Sequence, residues 1–193
     1  MVLLQYRLSV VEFALFILLV LGRAVMLRRR GVRAVVFGST DKTDFILAPF
    51  MLALVYVVFA NAFGWPVWGV LTRRFWVSTV AGWVGLSVGV VALVFFIYTL
   101  ASFGRSFRVG IDVNDPGKLV TSGAFALSRN PIYVCFFLGF CGLFLVHCNL
   151  VIAVVLAGFA LVIHRQVLRE EKFLASHYGA AFEEYRKQVR RYL

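Results

Sequence analysis

Two short stretches gather the side chains able to hold a charged or hydrogen-bonding ligand. One is Arg129-Asn130-Pro131-Ile132-Tyr133. The other runs from His164 through Arg165, Gln166 and Arg169 to Glu170 and Glu171. Pro131 suits the first turn of a helix, where its missing N–H leaves nothing unpaired. Asn130 then falls at the N-cap, where its side chain can accept from a free backbone N–H. The exposed N–H groups and the helix dipole at such a start favour an anion, so a ligand carboxylate would fit. A simple capped helix, with Arg129 reaching up to the headgroups, accounts for the same residues equally well. In the second stretch Arg165 and Arg169 share one helical face and Gln166 and Glu170 another. A glutamate near a membrane interface is costly unless paired, which marks a site. A charged helix leaving the bilayer is the competing reading.

The elements that would position these residues are apolar. Residues AVILMFWYC make up 62% of the 193 positions and charged residues 15%. Mean hydropathy is +0.89. A soluble domain is about 45–50% apolar and about 25% charged, so an ordinary soluble enzyme is excluded. Five runs approach the roughly 20 residues a spanning helix needs: about 8–27, 45–64, 77–103, 132–147 and 150–168. The first is too long, and too basic behind, for a cleaved signal. The last two are separated only by His147, Cys148 and Asn149, so they form a tight antiparallel hairpin of minimal or tilted spans. The expected fold is an all-α integral membrane bundle of five transmembrane helices, one domain over 1–193, with a C-terminal amphipathic cytoplasmic helix. That helix is read from Leu174, Tyr178, Phe182, Tyr185 and Val189, which recur on one face and are interrupted at Gly179.

The charges set the orientation. Of 20 Lys and Arg, against 9 Asp and Glu, sixteen fall in the first loop, the third loop and the tail. Arg7, Arg73 and Arg74 fall on the other side, and Arg23 lies within the first span. Basic residues accumulate in cytoplasmic loops. The N terminus is therefore expected outside and the C terminus in the cytoplasm, in a cell membrane of bacterial inner-membrane type. The positive excess is matched to anionic headgroups and not to nucleic acid.

The remaining polar and special residues read as structural. Cys135, Cys141 and Cys148 lack the spacing of a disulfide frame or a metal site, and no metal is expected. His147 is expected at the interface, at the outer corner of the hairpin. Glu12 is expected near the outer surface, solvated or snorkelling. Gly82, Gly85 and Gly89 offer a close-packing face on the third span. The third loop, 104–130, is long for a connector, and long ordered loops tend to be functional. It and the end of the fifth span flank one hairpin, so a pocket between them would have an apolar floor and a polar lid. Such a pocket suits a lipid-like substrate and a water-soluble cofactor.

Three segments in order now resemble a known family. They are Gly117-Lys118-Leu119-Val120-Thr121-Ser122-Gly123-Ala124-Phe125, then Arg129-Asn130-Pro131-Ile132-Tyr133, then Glu170-Glu171 followed by Leu174, Tyr178-Gly179, Phe182, Tyr185 and Val189. Together they resemble the isoprenylcysteine carboxyl methyltransferase and phospholipid methyltransferase family of integral membrane enzymes. The resemblance covers roughly 104–189. It implies S-adenosylmethionine as cofactor, bound in the hairpin region 104–193. By position it places Lys118, Leu119, Val120, Gly123, Phe125, Arg129, Asn130, Pro131, Tyr133, Glu170 and Glu171 around that cofactor. Glu170 and Glu171 would contact its polar groups or orient an arginine. Asn130 stands where many members have histidine, which keeps hydrogen bonding but removes a titratable ring. Phe125 stands where many have tyrosine.

Methyl transfer from a sulfonium is an in-line displacement that needs positioning and exclusion of water. A carboxylate acceptor needs only a docking cation, for which Arg165 and Arg169 are the candidates. An amine acceptor must lose a proton, to Glu170, Glu171 or water. The leading expectation is methylation of a lipid-like or prenylated acceptor, of isoprenylcysteine carboxyl O-methyltransferase type. The alternatives are phospholipid amine N-methylation, an NADPH-dependent membrane reductase, and a scaffold that has lost activity.

Overall fold

A computed structural model describes residues 1–29, 47–67, 69, 73–103 and 119–193. Lys118 and most of the third loop, like Arg33, Lys42 and Trp68, lie outside the described residues. Among the described residues six α-helices follow one another: α1 (Val2–Arg29), α2 (Leu47–Phe63), α3 (Thr79–Phe103), α4 (Pro131–His147), α5 (Leu150–Tyr178) and α6 (Ala180–Gln188). A 3₁₀ turn, Gly123–Ala126, precedes α4. Among the described residues there is no strand beyond an isolated bridge between Arg74 and Asn149.

Among the described residues three helices, α1, α3 and α5, are long and apolar enough to cross a membrane. α2 and α4 are apolar but shorter, at 17 residues each. At 1.5 Å per residue they reach about 26 Å, just under the roughly 30 Å hydrocarbon core. The outward faces are apolar, as at Leu18, Leu21, Val80, Val91 and Val94. With no water to pair the backbone in lipid, helices satisfy every peptide group internally, and apolar side chains can face outward.

The hairpin corner is built from two residues. Cys148 adopts the left-handed conformation, φ 43°, and its N–H closes α4 on the Phe144 carbonyl. Asn149 then caps α5, its Oδ1 accepting from the Ile152 N–H at 3.0 Å. The core around the hairpin joins Phe140 and Leu143 of α4 to Ile152, Val155 and Phe159 of α5, Leu54, Val57 and Val58 of α2 and Phe13 of α1.

The glycines of α3 do two different jobs. Gly85 lies against α4: an added Cβ would meet the Gly142 carbonyl oxygen at 2.6 Å and Val146 at 2.9 Å. This is the close backbone approach that small residues permit in membrane bundles. Gly82 and Gly89 instead make room for polar side chains of α1. The Gln5 amide lies over Gly82 and the Glu12 carboxyl over Gly89. Glu12 therefore sits inside the bundle against α3, not at the outer surface where its sequence position suggested.

His147 also departs from expectation. It is at the corner, but it is fully buried within protein instead of facing the interface. Its ring stacks on Tyr6, with centroids 4.8 Å apart, and Arg74 lies over the other ring at 4.9 Å. Ser9 donates to the Tyr6 carbonyl at 2.8 Å, so its oxygen accepts from His147 Nε2–H at 3.0 Å. Asn61 Nδ2 donates to His147 Nδ1 at 3.0 Å. Both ring nitrogens are thus satisfied by α1 and α2, which is why the ring can leave the interface.

The glycine contacts yield a stability prediction. Gly85→Val should destabilise the protein by about 1–3 kcal/mol through overpacking. Gly22→Ala, in open space on α1, should be neutral or slightly stabilising. Denaturant titration in mixed micelles measures both; equal stabilities would show that α3 and α4 do not need the contact.

Candidate functional site

The end of the bundle where α4 begins is organised by one carboxylate. Glu171 lies three residues past the apolar run of α5 and is buried. Its Oε1 accepts from Arg129 Nε at 3.1 Å, forms a salt bridge with Arg129 NH2 at 3.0 Å, and accepts from Asn130 Nδ2 at 3.3 Å. Its Oε2 accepts from Arg191 Nε at 3.0 Å and NH2 at 2.9 Å. The hydrogen bond to Glu171 raises the Arg191 guanidinium above the ordinary arginine range. Two guanidiniums with several bonds each are the strong, charge-assisted kind.

Arg129 is held from a second direction. Its NH1 donates to the carbonyls of Val189 at 2.6 Å and Arg186 at 3.1 Å. Its backbone N–H donates to the Arg190 carbonyl at 2.9 Å. These carbonyls belong to the last turn of α6 and the residues after it, where helical partners run out. The tail is therefore strapped to the turn before α4.

Asn130 occupies the N-cap position of α4, as its sequence position implied, but its side chain caps nothing. It donates instead to Glu171 and to the Arg191 carbonyl, at 3.1 Å for the latter. Ser128 Oγ accepts from the Asn130 N–H at 3.1 Å. Pro131 takes the first turn of α4. The carboxylate across the turn outbids the local cap because it is charged and the asparagine is buried.

Beside this cluster, Tyr133 donates its hydroxyl to Glu170 Oε1 at 2.7 Å. Gln166 Nε2 donates to the same oxygen at 3.0 Å. Gln166 and Glu170 share a face as their spacing required. Arg169 is half-buried one residue away, while Arg165 is exposed and makes no hydrogen bond or ion pair among the described residues.

The segment before α4 packs as a lid. Phe125 sits in an aromatic cluster with Phe182 and Tyr185, bordered by Leu119, Val120, Leu174, Tyr178 and Val189. The five residues of the amphipathic stripe thus all belong to this cluster or border it. Phe103, closing α3, meets Phe125 edge-on with centroids 4.4 Å apart. Tyr185 donates to the Phe125 carbonyl at 2.7 Å, and burial raises its phenol above the usual range. Gly123 has φ +65°, and a Cβ there would overlap Ser102. Ser102 Oγ accepts from the Ala124 N–H at 3.0 Å, tying the lid to α3.

Of the residues singled out in the sequence, Arg129, Asn130 and Glu171 make one cluster, and Tyr133 and Glu170 a second beside it. Leu119, Val120 and Phe125 lie in the lid. Lys118 is outside the described residues. Arg191, Ser128 and Gln166 join the site without having been singled out as ligands. Arg191 gave no local signal, being one basic residue in a basic tail. Gln166 was visible only through its spacing to Glu170.

A family model described as phospholipid methyltransferase matches residues 77–181. The chain is similar to the cobalt-zinc-cadmium resistance protein CzcN of Cupriavidus metallidurans, 39% identical over 95 residues, or 48% of this chain and 42% of the relative. It is similar to the nickel-cobalt-cadmium resistance protein NccN of Alcaligenes xylosoxydans xylosoxydans, 30% identical over 92 residues, or 47% of this chain and 43% of the relative. It is also similar to a probable protein-S-isoprenylcysteine O-methyltransferase of Oryza sativa subsp. indica, 31% identical over 123 residues and 61% of each chain. The matches thus span less than half of the two bacterial relatives and about three-fifths of the rice one. No solved structure matches.

The ion cluster makes a graded prediction. Glu171→Ala leaves Arg129 buried without its carboxylate and should cost about 3 kcal/mol. Arg191→Ala removes the more exposed partner and should cost about 1 kcal/mol. Hydrogen exchange across 180–193 should speed up in both. Unchanged exchange in Glu171→Ala would mean that the carboxylate does not hold the tail.

Proposed function

The chain belongs to the phospholipid methyltransferase family, whose match covers more than half of it, and on that premise we propose that it is a membrane methyltransferase using S-adenosylmethionine. In this reading residues 1–193 form one integral membrane domain of five crossings. The N terminus lies outside, the C terminus lies in the cytoplasm, and the membrane is of bacterial inner type. Region 104–193 holds the cofactor. The acceptor is lipid-like, and the leading assignment is carboxyl O-methylation of an isoprenylcysteine type of substrate.

One observation carries the reading. The Glu171 cluster ties the start of α4, the exit of α5 and the tail into one frame, and that frame holds the Tyr133–Glu170 pair at the border between apolar and polar protein. The donor set fits the cofactor chemically. S-adenosylmethionine carries an ammonium and ribose hydroxyls, which suit the Glu170 carboxylate, and a carboxylate, which the helix dipole at the start of α4 favours. When bound, it supplies a methyl group on a sulfonium. The chain's own task is to bind, orient and keep water out. Glu170 and Tyr133 bind and orient; Arg129 and Asn130, fixed by Glu171, set the turn; the Phe125 cluster excludes water. Arg165 and Arg169, four residues apart at the α5 exit, are the cations to dock an acceptor carboxylate.

Amine N-methylation is the second reading, favoured by the same Glu170, whose carboxylate could take the proton an amine must lose. The two products differ in chemistry. Purified protein in lipid should transfer radiolabelled methyl from S-adenosylmethionine to a farnesylated cysteine analogue, and alkali should release the label as methanol. Alkali-stable label on an amine lipid would select the second reading. No transfer to either acceptor class, with neither S-adenosylmethionine nor its demethylated product bound, would overturn both. Glu170→Ala should weaken cofactor binding by roughly tenfold, as for loss of one charge-assisted bond.

A further inference from the structure

Within the bundle, α1, α2 and α4 enclose an apolar cavity of about 280 Å³, with Gly89 of α3 at one wall. It is just smaller than the roughly 300–1,000 Å³ of drug-sized pockets. Four phenylalanines line it: Phe13 and Phe16 from α1, Phe136 and Phe140 from α4. One ionisable group lines it, Glu12. Glu12 is the eleventh residue of a 28-residue apolar helix, so it lies about 15 Å along the helix from the outer end. Its carboxyl rests on Gly89, where a Cβ would overlap it. Among the described residues it makes no hydrogen bond or ion pair. Ile17 and Leu21, further along α1, line the cavity and are also exposed. The cavity therefore has a mouth toward the acyl chains.

A carboxyl at this depth is costly, and when retained it normally faces a partner or a pathway. The described residues supply no partner, yet they supply the space beside the carboxyl and an aromatic wall around it. Aromatic faces attract a cation, most strongly where water is excluded. A carboxylate adds direct charge pairing. We propose that this cavity is an intramembrane binding site for small apolar amines, with the ammonium between Glu12 and the phenylalanine rings and the hydrocarbon part in the slot. The site is separate from the Glu171 frame at the cytoplasmic end, and it does not depend on the methyl-transfer reading.

The test uses the full chain in phosphatidylcholine nanodiscs. Thermal unfolding is followed while octylamine, octan-1-ol or octanoate is titrated, each corrected for partitioning into empty nanodiscs. Octylamine should half-saturate at a concentration roughly tenfold below octan-1-ol, and octanoate should not bind. In Glu12→Gln the preference should vanish while octan-1-ol binding persists, which also reports that the variant is folded. Octylamine binding no tighter than octan-1-ol in the unaltered chain overturns the proposal without any variant. A preference that survives in Glu12→Gln overturns it as well. Either result leaves methyl transfer, tested by radiolabel, standing or falling on its own.

Discussion

The carboxylate of Glu171 holds three stretches of chain that are far apart in sequence. Arg129 lies 42 residues before it and Arg191 lies 20 after. Each oxygen is shared between donors, so neither guanidinium can rotate away without stranding charge in a mostly buried place. Arg129 is in turn pinned by the carbonyls of the α6 end, and Asn130 by a carbonyl two residues beyond. Removing the central group would free the turn, the tail and the lid together. The aromatic cluster around Phe125 adds apolar cohesion, but it has no directional preference. The ion cluster supplies the direction.

The opposite end of the bundle solves a parallel problem with neutral groups. His147 satisfies one ring nitrogen on Ser9 and the other on Asn61, and it stacks on Tyr6. This fixes the hairpin corner to α1 and α2 without placing a charge on the ring. The bundle is therefore polar at both ends and nearly apolar between. Glu12 on α1 is an exception, and like Gln5 nearer the end it is seated over a glycine of α3. A stripe read from spacing as a helix contact is that at Gly85, and a recess for polar side chains at its two neighbours.

Local signals made the helices legible, and long-range pairing hid the rest. Apolar length located α1, α3 and α5, and the Pro131 and Asn149 signals placed the start of α4 and the corner. The five-residue stripe from Leu174 to Val189 foretold an apolar helical face and the break at Gly179, but not that the face packs with Phe125. Asn130 was placed correctly but given the wrong partner, because a cap is a local rule and Glu171 arrives from another helix. Arg191 was hidden for the same reason. His147 and Glu12 were assigned to the interface on depth alone, whereas Ser9, Asn61 and Gly89 on other helices decide where they sit. The resemblance supplied the order of the site segments, which periodicity could not.

The two-residue corner at Cys148 and Asn149 makes the hairpin a ruler. Counting back from it fixes where α4 begins, and counting forward fixes which turn of α5 lies alongside. Arg129 meets Glu171 because both counts come out right. A substitution on the lipid face leaves the counts alone, but one residue added or lost within either arm turns everything beyond it by about 100° and shifts it by about 1.5 Å. Insertions and deletions between Pro131 and Glu171 should therefore be purged far more strictly than point changes over the same stretch. Related chains should vary in spelling there and keep their length.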